Sequence, residues 1–109
     1  MNLPLVKIVV FAPATHSDVV RKALAEAGAG HVGNYDFCSF TSGGTGRFRA
    51  LDGAKPFFGE VGKIAEVAEE RIEVICSLKI LKKVLKSVRA VHPYEEPAID
   101  IYPLLNENE

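Results

Sequence analysis

Residues 71–88 have the sequence RIEVICSLKILKKVLKSV, and the spacing of their apolar side chains changes partway through. An apolar residue first stands at every second position, at Ile72, Val74 and Cys76. This spacing is typical of a β-strand with one buried face. The apolar residues then fall on one side of a helix, at Leu81, Val84, Leu85 and Val88. Pro93 disfavours helix in the residue before it, so we expect a strand over residues 71–77 and a helix that ends near Val91.

A strand and a helix are also expected near the N-terminus. Leu5 to Phe11 is almost wholly apolar and β-branched, as in a strand that is covered on both faces. Pro13 ends this strand, and Thr15 offers an N-cap oxygen to the helix that follows. The apolar residues of that helix recur at helical spacing, at Val20, Ala23, Leu24 and Ala27. Glycine ends it, because glycine accepts the left-handed conformation after a helix, here at Gly28 and Gly30.

Residues 35–50, YDFCSFTSGGTGRFRA, predict a β-hairpin. Two β-prone runs flank Gly43 and Gly44, and a pair of glycines supplies the positive φ angles of a tight turn. In that register Phe40 faces Arg47. Both faces of the hairpin carry apolar groups, which indicates contact with another subunit.

The remaining segments complete the expected fold. Residues 51–69 contain glycines and a proline and predict an irregular excursion. Ile99 to Leu104 predicts a last short strand, and residues 106–109 (NENE) form a polar tail. The order of elements predicts an α+β, ferredoxin-like β-α-β-β-α-β sandwich with an extra C-terminal strand, built as one domain over residues 1–105. Two helices would cover one sheet face, and we expect oligomerisation to cover the other.

Composition and charge exclude several classes of protein. The 109 residues include 13 basic and 14 acidic side chains, a formal net charge of −1, without the basic excess of general nucleic-acid binders. No apolar run approaches the roughly 20 residues that span a bilayer. The N-terminus predicts a strand rather than a signal peptide, because no basic region precedes its apolar run. Cys38 and Cys76 lie in apolar, strand-like segments and are expected to be reduced, buried thiols of a cytoplasmic protein.

The densest polar cluster follows the second predicted helix and consists of His92, Tyr94, Glu95 and Glu96. An imidazole and two carboxylates could bind a divalent cation, although a fourth ligand is missing. The structural alternative is an extended turn locked by two prolines, with carboxylates that are solvated or paired with an arginine of a neighbouring subunit. His16 and His31 could complete a metal site only if the fold brought them close.

The glycine-rich stretch is a second candidate site, formed by Ser42, Gly43, Gly44, Thr45 and Gly46. Its backbone could form an anion-binding nest, with Arg47 or Arg49 nearby. The lysine and helix of a P-loop are missing, and the alternative is a hairpin tip that packs on a neighbouring subunit.

The lysines of the second predicted helix form a stripe that is typical of a solvated helix face. No nucleophile with a base and an orienting group is found, which argues against catalysis.

Four stretches of the chain resemble a known domain. They are residues 28–35 (GAGHVGNY), 42–49 (SGGTGRFR), 58–63 (FGEVGK) and 92–104 (HPYEEPAIDIYPL). Along almost the whole chain they resemble a stand-alone form of the YqfO-type insert domain of the dinuclear-metal family once called GTP cyclohydrolase I type 2. The His-Pro-Tyr-Glu segment is also similar to CutA proteins, which share a trimeric ferredoxin-like architecture with PII signalling proteins.

The resemblance implies a CutA/PII-like fold and a homotrimer. In the full-length family the metal ligands come from two halves that flank the insert, and this chain lacks both. The hydrolase-like chemistry of that metal site is therefore not implied here. PII proteins bind nucleotides in clefts between subunits, so this resemblance keeps an anion site in the glycine-rich stretch open as an alternative to the packed hairpin tip. Two positions depart from the family pattern: Ala50 replaces the usual proline, and Ile99 replaces a common tyrosine.

We therefore expect a non-catalytic oligomeric module that binds a small ligand or metal at subunit clefts. The predicted ligand-binding residues are Ser42, Gly43, Gly44, Thr45, Gly46, Arg47 and Tyr94. The first alternative is a CutA-like protein that binds a divalent metal through His92 with Glu95 or Glu96. The second is a small hydrolase of nucleotides, by association with the larger metal-dependent family. No nucleic-acid or membrane partner is expected.

Overall fold

The computed structural model describes residues 4–105, which form one antiparallel sheet and two α-helices. The strands are β1 (Leu5–Pro13), β2 (Phe40–Arg49), β3 (Ile64–Ser77) and β4 (Ile99–Leu104), and the helices are α1 (Ser17–Glu26) and α2 (Leu81–Val91). The strand order is β2-β3-β1-β4. The predicted α+β, ferredoxin-like arrangement is confirmed.

The expected extra C-terminal strand is not found within residues 4–105. The strand at Ile99–Leu104 is itself the fourth strand of the β-α-β-β-α-β pattern, and it pairs with β1. The predicted polar tail, residues 106–109, lies outside the described residues. Within the described part of the chain, neither helix, of 10 and 11 residues, is long and apolar enough to cross a bilayer.

The hydrophobic core lies between one sheet face and the two helices. Alternate residues of β1 and β3 point to the helices and pair across the strands, as Ile8 does with Val74 and Val10 with Ile72. The helices contribute side chains at i, i+4 spacing that are fully buried. These are Val20 and Leu24 of α1 and Val84 and Val88 of α2. The periodicity in the sequence therefore identified the core correctly.

The region around α1 differs in part from the expectation. Thr15 is not an N-cap, because it lies in a 3₁₀ turn and its hydroxyl bonds to Nδ1 of His16 at 2.8 Å. Gly30 has a positive φ of 80°, and a Cβ there would collide with the backbone of Cys38. Its amide donates to the Ile75 carbonyl at 2.8 Å, so the chain leaves α1 along the edge of β3. Gly30 is therefore required by both backbone conformation and close approach.

The predicted hairpin at Gly43 and Gly44 is wrong. Neither glycine has a positive φ, and β2 is one continuous strand that pairs with β3 along its whole length. Residues 64–69, expected to be irregular, form the first part of β3. Their sequence, IAEVAE, has glutamates three residues apart and therefore lacks the period-two pattern that predicts a half-buried strand. The connecting turn is the 50–63 loop, where glycines do take positive φ.

The uncovered face of the sheet carries a mixture of charged and apolar groups. Val9 is the fully buried residue there, and charged side chains stand beside it. Lys7 Nζ and Arg71 Nε each lie 3.4 Å from a carboxylate oxygen of Glu73. The guanidinium of Arg71 also lies 5.5 Å from the ring centre of Phe11, a distance typical of a cation–π contact.

The two cysteines have different environments. Cys76 is buried in β3, as predicted, and burial raises the pKa of its thiol. Cys38 lies in the loop before β2 and is partly exposed, so its predicted place in a buried strand is wrong.

Candidate functional site

The segment after α2, residues 92–98, crosses the end of β1. The amide of His92 closes the last turn of the helix by donating to the Val88 carbonyl at 2.9 Å. At the other end of the segment, the Ala98 carbonyl accepts from the amide of Phe11 at 3.1 Å. The two prolines predicted to stiffen this segment lie between these anchors.

His92 is an internal structural group of this segment. Its side chain is 8% exposed. Nδ1 accepts from the amide of Tyr94 at 3.1 Å, so the proton is on Nε2, which donates to the Phe11 carbonyl at 2.7 Å. Burial lowers the pKa of His92, and the Phe11 carbonyl only partly opposes this effect. The imidazole is therefore neutral, and both nitrogens are engaged.

Tyr94 is the centre of an aromatic cluster. Its ring centre lies 5.1 Å from that of His92 and 6.1–6.4 Å from those of Phe48, Phe57 and Phe58. Its hydroxyl donates to Oε2 of Glu69 at 2.7 Å. Burial first, and then the Glu69 carboxylate, raises the pKa of Tyr94, so the phenol stays protonated at neutral pH.

Gly46 makes room for the carboxylate of Glu69. The two residues lie on the same sheet face, since Glu69 pairs with Gly44 two residues away. A Cβ built at Gly46 would collide with the Glu69 carboxylate. The missing side chain on β2 thus lets Glu69 cross the strand and reach Tyr94.

A cavity of about 460 Å³ opens beside Tyr94. Phe11, Phe48, Phe57, Phe58 and Tyr94 supply its aromatic lining, and Glu69, Glu95, Glu96, Arg47 and Arg49 supply charges. The 50–63 loop closes one side, because the amide of Lys55 donates to Oε1 of Glu95 at 3.1 Å. This volume falls in the range of small-molecule pockets. We call it the Tyr94 cavity.

The structure brings together part of the predicted ligand site. Arg47 and Tyr94 line the Tyr94 cavity. Gly46 contributes indirectly, because its missing side chain leaves space for Glu69, which lines the cavity. Ser42, Gly43, Gly44 and Thr45 do not line it. They are extended residues of β2 and form no anion nest, because a nest requires turn-like backbone and these residues pair with β3. The prediction of a phosphate site there is wrong.

The predicted metal ligands lie close in sequence but do not converge. Glu95 and Glu96 line the cavity, whereas both nitrogens of His92 are held by backbone groups. Within residues 4–105, no group of three or more His, Cys, Asp or Glu side chains is placed to hold a metal ion. His16 contacts the ring of Phe57 at 5.3 Å between centroids, and His31 is exposed in the loop after α1.

Sequence reasoning missed most of the cavity wall. Glu69, Phe48, Phe57 and Phe58 were not singled out, and the last two lie in a segment that was predicted to be irregular. The Phe-Phe pair was the available clue, because adjacent aromatic residues in a loop need somewhere to be buried.

Comparisons with known proteins agree with this architecture. No family model matches the sequence. A "GTP cyclohydrolase 1 type 2 homolog" of Halalkalibacterium halodurans is 51% identical over 105 residues, 96% of this chain and 28% of that protein. The chain is similar to one segment of such proteins. It spans about a quarter of the length of the curated relatives it matches.

Two solved structures extend the comparison. A Bacillus cereus protein related to NIF3 superposes with a TM-score of 0.83 at 47% identity, over 95% of this chain and 26% of that one. The divalent ion tolerance protein CutA1 of Ehrlichia chaffeensis gives a TM-score of 0.72 at 17% identity, over 100% of this chain and 89% of that one. At that identity the CutA likeness concerns the fold alone. The resemblance to both groups is thus supported.

We predict that His92 makes the protein acid-sensitive. Its folded pKa lies below the ordinary value of 6.5, so the unfolded chain takes up the proton first. Stability should be full above pH 6.5 and fall as the pH drops below it, by at most about 1.4 kcal/mol per pH unit. Urea unfolding between pH 7.5 and about 5 measures this, at fixed protein concentration.

The matched variants are His92→Gln and His31→Gln. The first should lose this pH dependence, because it removes the buried titrating group. The second should keep it, because His31 is exposed. Equal pH dependence in His92→Gln and the native chain would contradict the assignment.

A second prediction concerns Gly46. Gly46→Ala and Tyr94→Phe should each lower the free energy of unfolding by about 1 kcal/mol, because both break the bond between Tyr94 and Glu69. The double variant should lose little more than either single one. Gly44→Ala is the control, since a Cβ there meets nothing within 4 Å. Additive losses in the double variant would show that Gly46 and Tyr94 do not share one interaction.

Proposed function

We propose that this chain is a non-catalytic binding module that assembles as a homotrimer and holds a small ligand in the Tyr94 cavity. The observation that carries this proposal is the cavity itself, which combines apolar aromatic walls with a few charged groups. Ligand pockets commonly have this composition, because apolar walls supply affinity and a few polar groups supply orientation.

The pKa values and hydrogen bonds of Tyr94 and His92 favour binding over catalysis. Proton transfer requires a group that can gain or lose a proton near neutral pH. The pKa of Tyr94 is raised and its hydroxyl already donates to Glu69. Both nitrogens of His92 bind backbone groups, and its pKa is lowered. Tyr94 and His92 are therefore suited to hold the local structure in place and not to transfer protons.

The uncovered sheet face and the edge of β2 support self-association. Phe40 at the start of β2 is 67% exposed, and Tyr102 of β4 is 42% exposed. The outer edge of β2 presents a row of backbone groups that another strand could pair with. A homotrimer is the assembly that the CutA resemblance implies. The metal chemistry of the full-length relatives is not part of this proposal.

Shift mapping by ¹⁵N NMR with a library of small fragments of mixed charge tests the binding site. Shifts caused by bound fragments should cluster in the 50–63 loop, the 92–98 segment and the end of β2. Tyr94→Ala should abolish them by removing the central ring, and Tyr35→Ala should not, since Tyr35 is 75% exposed and does not line the cavity.

Two outcomes would contradict the proposed site. One is a library in which no fragment perturbs these three segments. The other is binding that survives intact in a folded Tyr94→Ala variant. If Tyr94→Ala does not fold, Phe58→Leu replaces it, because that side chain lines the cavity from the 50–63 loop.

A further inference from the structure

The geometry points to a more specific ligand for the Tyr94 cavity: an organic cation, such as an alkylated ammonium group. This inference rests on the proposed binding function and adds the chemical class of the ligand. Three features of the cavity carry it, namely the angles between its aromatic rings, the balance of its charges and a cation already bound to one of its rings.

Four aromatic rings of the cavity wall meet at steep angles and do not lie parallel to one another. The ring pairs among Phe48, Phe57, Phe58 and Tyr94 have centroid distances of 4.6–6.4 Å and interplanar angles of 54–85°. A flat aromatic ligand stacks best between parallel rings. Rings set steeply to one another suit a compact, rounded cation, because each negative ring face can contact a different side of it.

Carboxylates outnumber guanidinium groups by three to two among the charged side chains that line the cavity. Glu69, Glu95 and Glu96 line the cavity, and the Glu69 carboxylate lies against the Tyr94 hydroxyl. Arg47 also lines it, but its guanidinium lies 3.2 Å from a carboxylate oxygen of Glu66. Arg49 also lines the cavity, and strand alternation sets both arginines on the opposite face of β2 from Phe48. An incoming cation therefore meets carboxylates beside the rings.

The molecule already contains a cation on one ring of this wall. Phe11 lines the cavity, and the guanidinium of Arg71 lies 5.5 Å from its ring centre. One ring of the cavity wall thus already makes a cation–π contact within the fold. Tyr94 adds a polar group to this wall, although its hydroxyl is already engaged with Glu69.

Three probes of nearly equal shape and different charge test the inference. They are choline, 3,3-dimethylbutan-1-ol and 3,3-dimethylbutanoate, which carry a positive, zero and negative charge on the same branched frame. Binding is measured by NMR shift titration on the full chain. We expect choline to bind at least about ten-fold more tightly than the alcohol, since a desolvated cation–π contact and the carboxylates act on it alone.

Matched variants locate the effect. Glu96→Gln and Phe58→Leu should each weaken choline binding several-fold, through loss of charge and loss of a ring. Glu60→Gln should leave it unchanged, because Glu60 pairs with Lys63 and does not line the cavity. Tyr94→Phe should retain most of the affinity, because it keeps the ring. Higher salt should weaken choline binding and spare the alcohol.

The outcomes separate this inference from the proposed function. If the alcohol or the carboxylate binds the cavity as tightly as choline, the preference for a cation is wrong, and the binding site stands. If no probe binds while the fragment library still maps to the cavity, the cation inference alone fails. If neither choline nor any fragment perturbs the cavity, both fail.

Discussion

The structure depends on a sheet that is covered by helices on one face only. Side chains of β1 and β3 alternate between the two faces, and those on the helix side, such as Ile8 and Ile72, pack with helix residues such as Val84 in one core cluster. On the other side Val9 is buried under charged neighbours. A domain this small buries a limited share of its surface, so its second face is available for contacts with other molecules.

The Tyr94 cavity lies at the end of this sheet and is built from distant parts of the chain. Glu69 reaches Tyr94 across a gap left by Gly46, and the 50–63 loop folds back to supply two phenylalanines. Each contribution is small, but together they partly bury a hydroxyl–carboxylate bond, which strengthens it. The same arrangement leaves aromatic faces and carboxylates turned to the cavity. The shape of the cavity and the charges that line it therefore have one origin.

Local patterns predicted the elements whose periodicity is uninterrupted. The buried faces of α2, β1 and β3 follow from side-chain spacing, and the end of α2 follows from Pro93. β2 was misjudged because Gly43 and Gly44 satisfy a turn and an extended strand equally well, and only pairing with residues 64–73 decides between them. Arg21 of α1 reinforces that pairing by binding Thr41 and Glu70, at 3.2 and 3.1 Å. Hydrogen bonds between residues far apart in the chain produce no periodic pattern in the sequence.

The residues of the candidate site divide in the same way. Tyr94, Glu95 and Arg47 were found because they lie in motifs dense in polar groups or shared with a known domain. Glu69 was not found, because its importance comes from its register opposite a glycine. His92 was found, but as a metal ligand; its burial and two backbone partners are tertiary facts.

The most direct test of the half-covered sheet is the mass of the native chain in solution. Size-exclusion chromatography with light scattering at micromolar concentration measures it without reference to shape. We predict a particle of three times 11.8 kDa, held together through the sheet face that carries Phe40 and Tyr102. A particle of 11.8 kDa at every concentration tested would contradict it, because the uncovered face would then be stable in water.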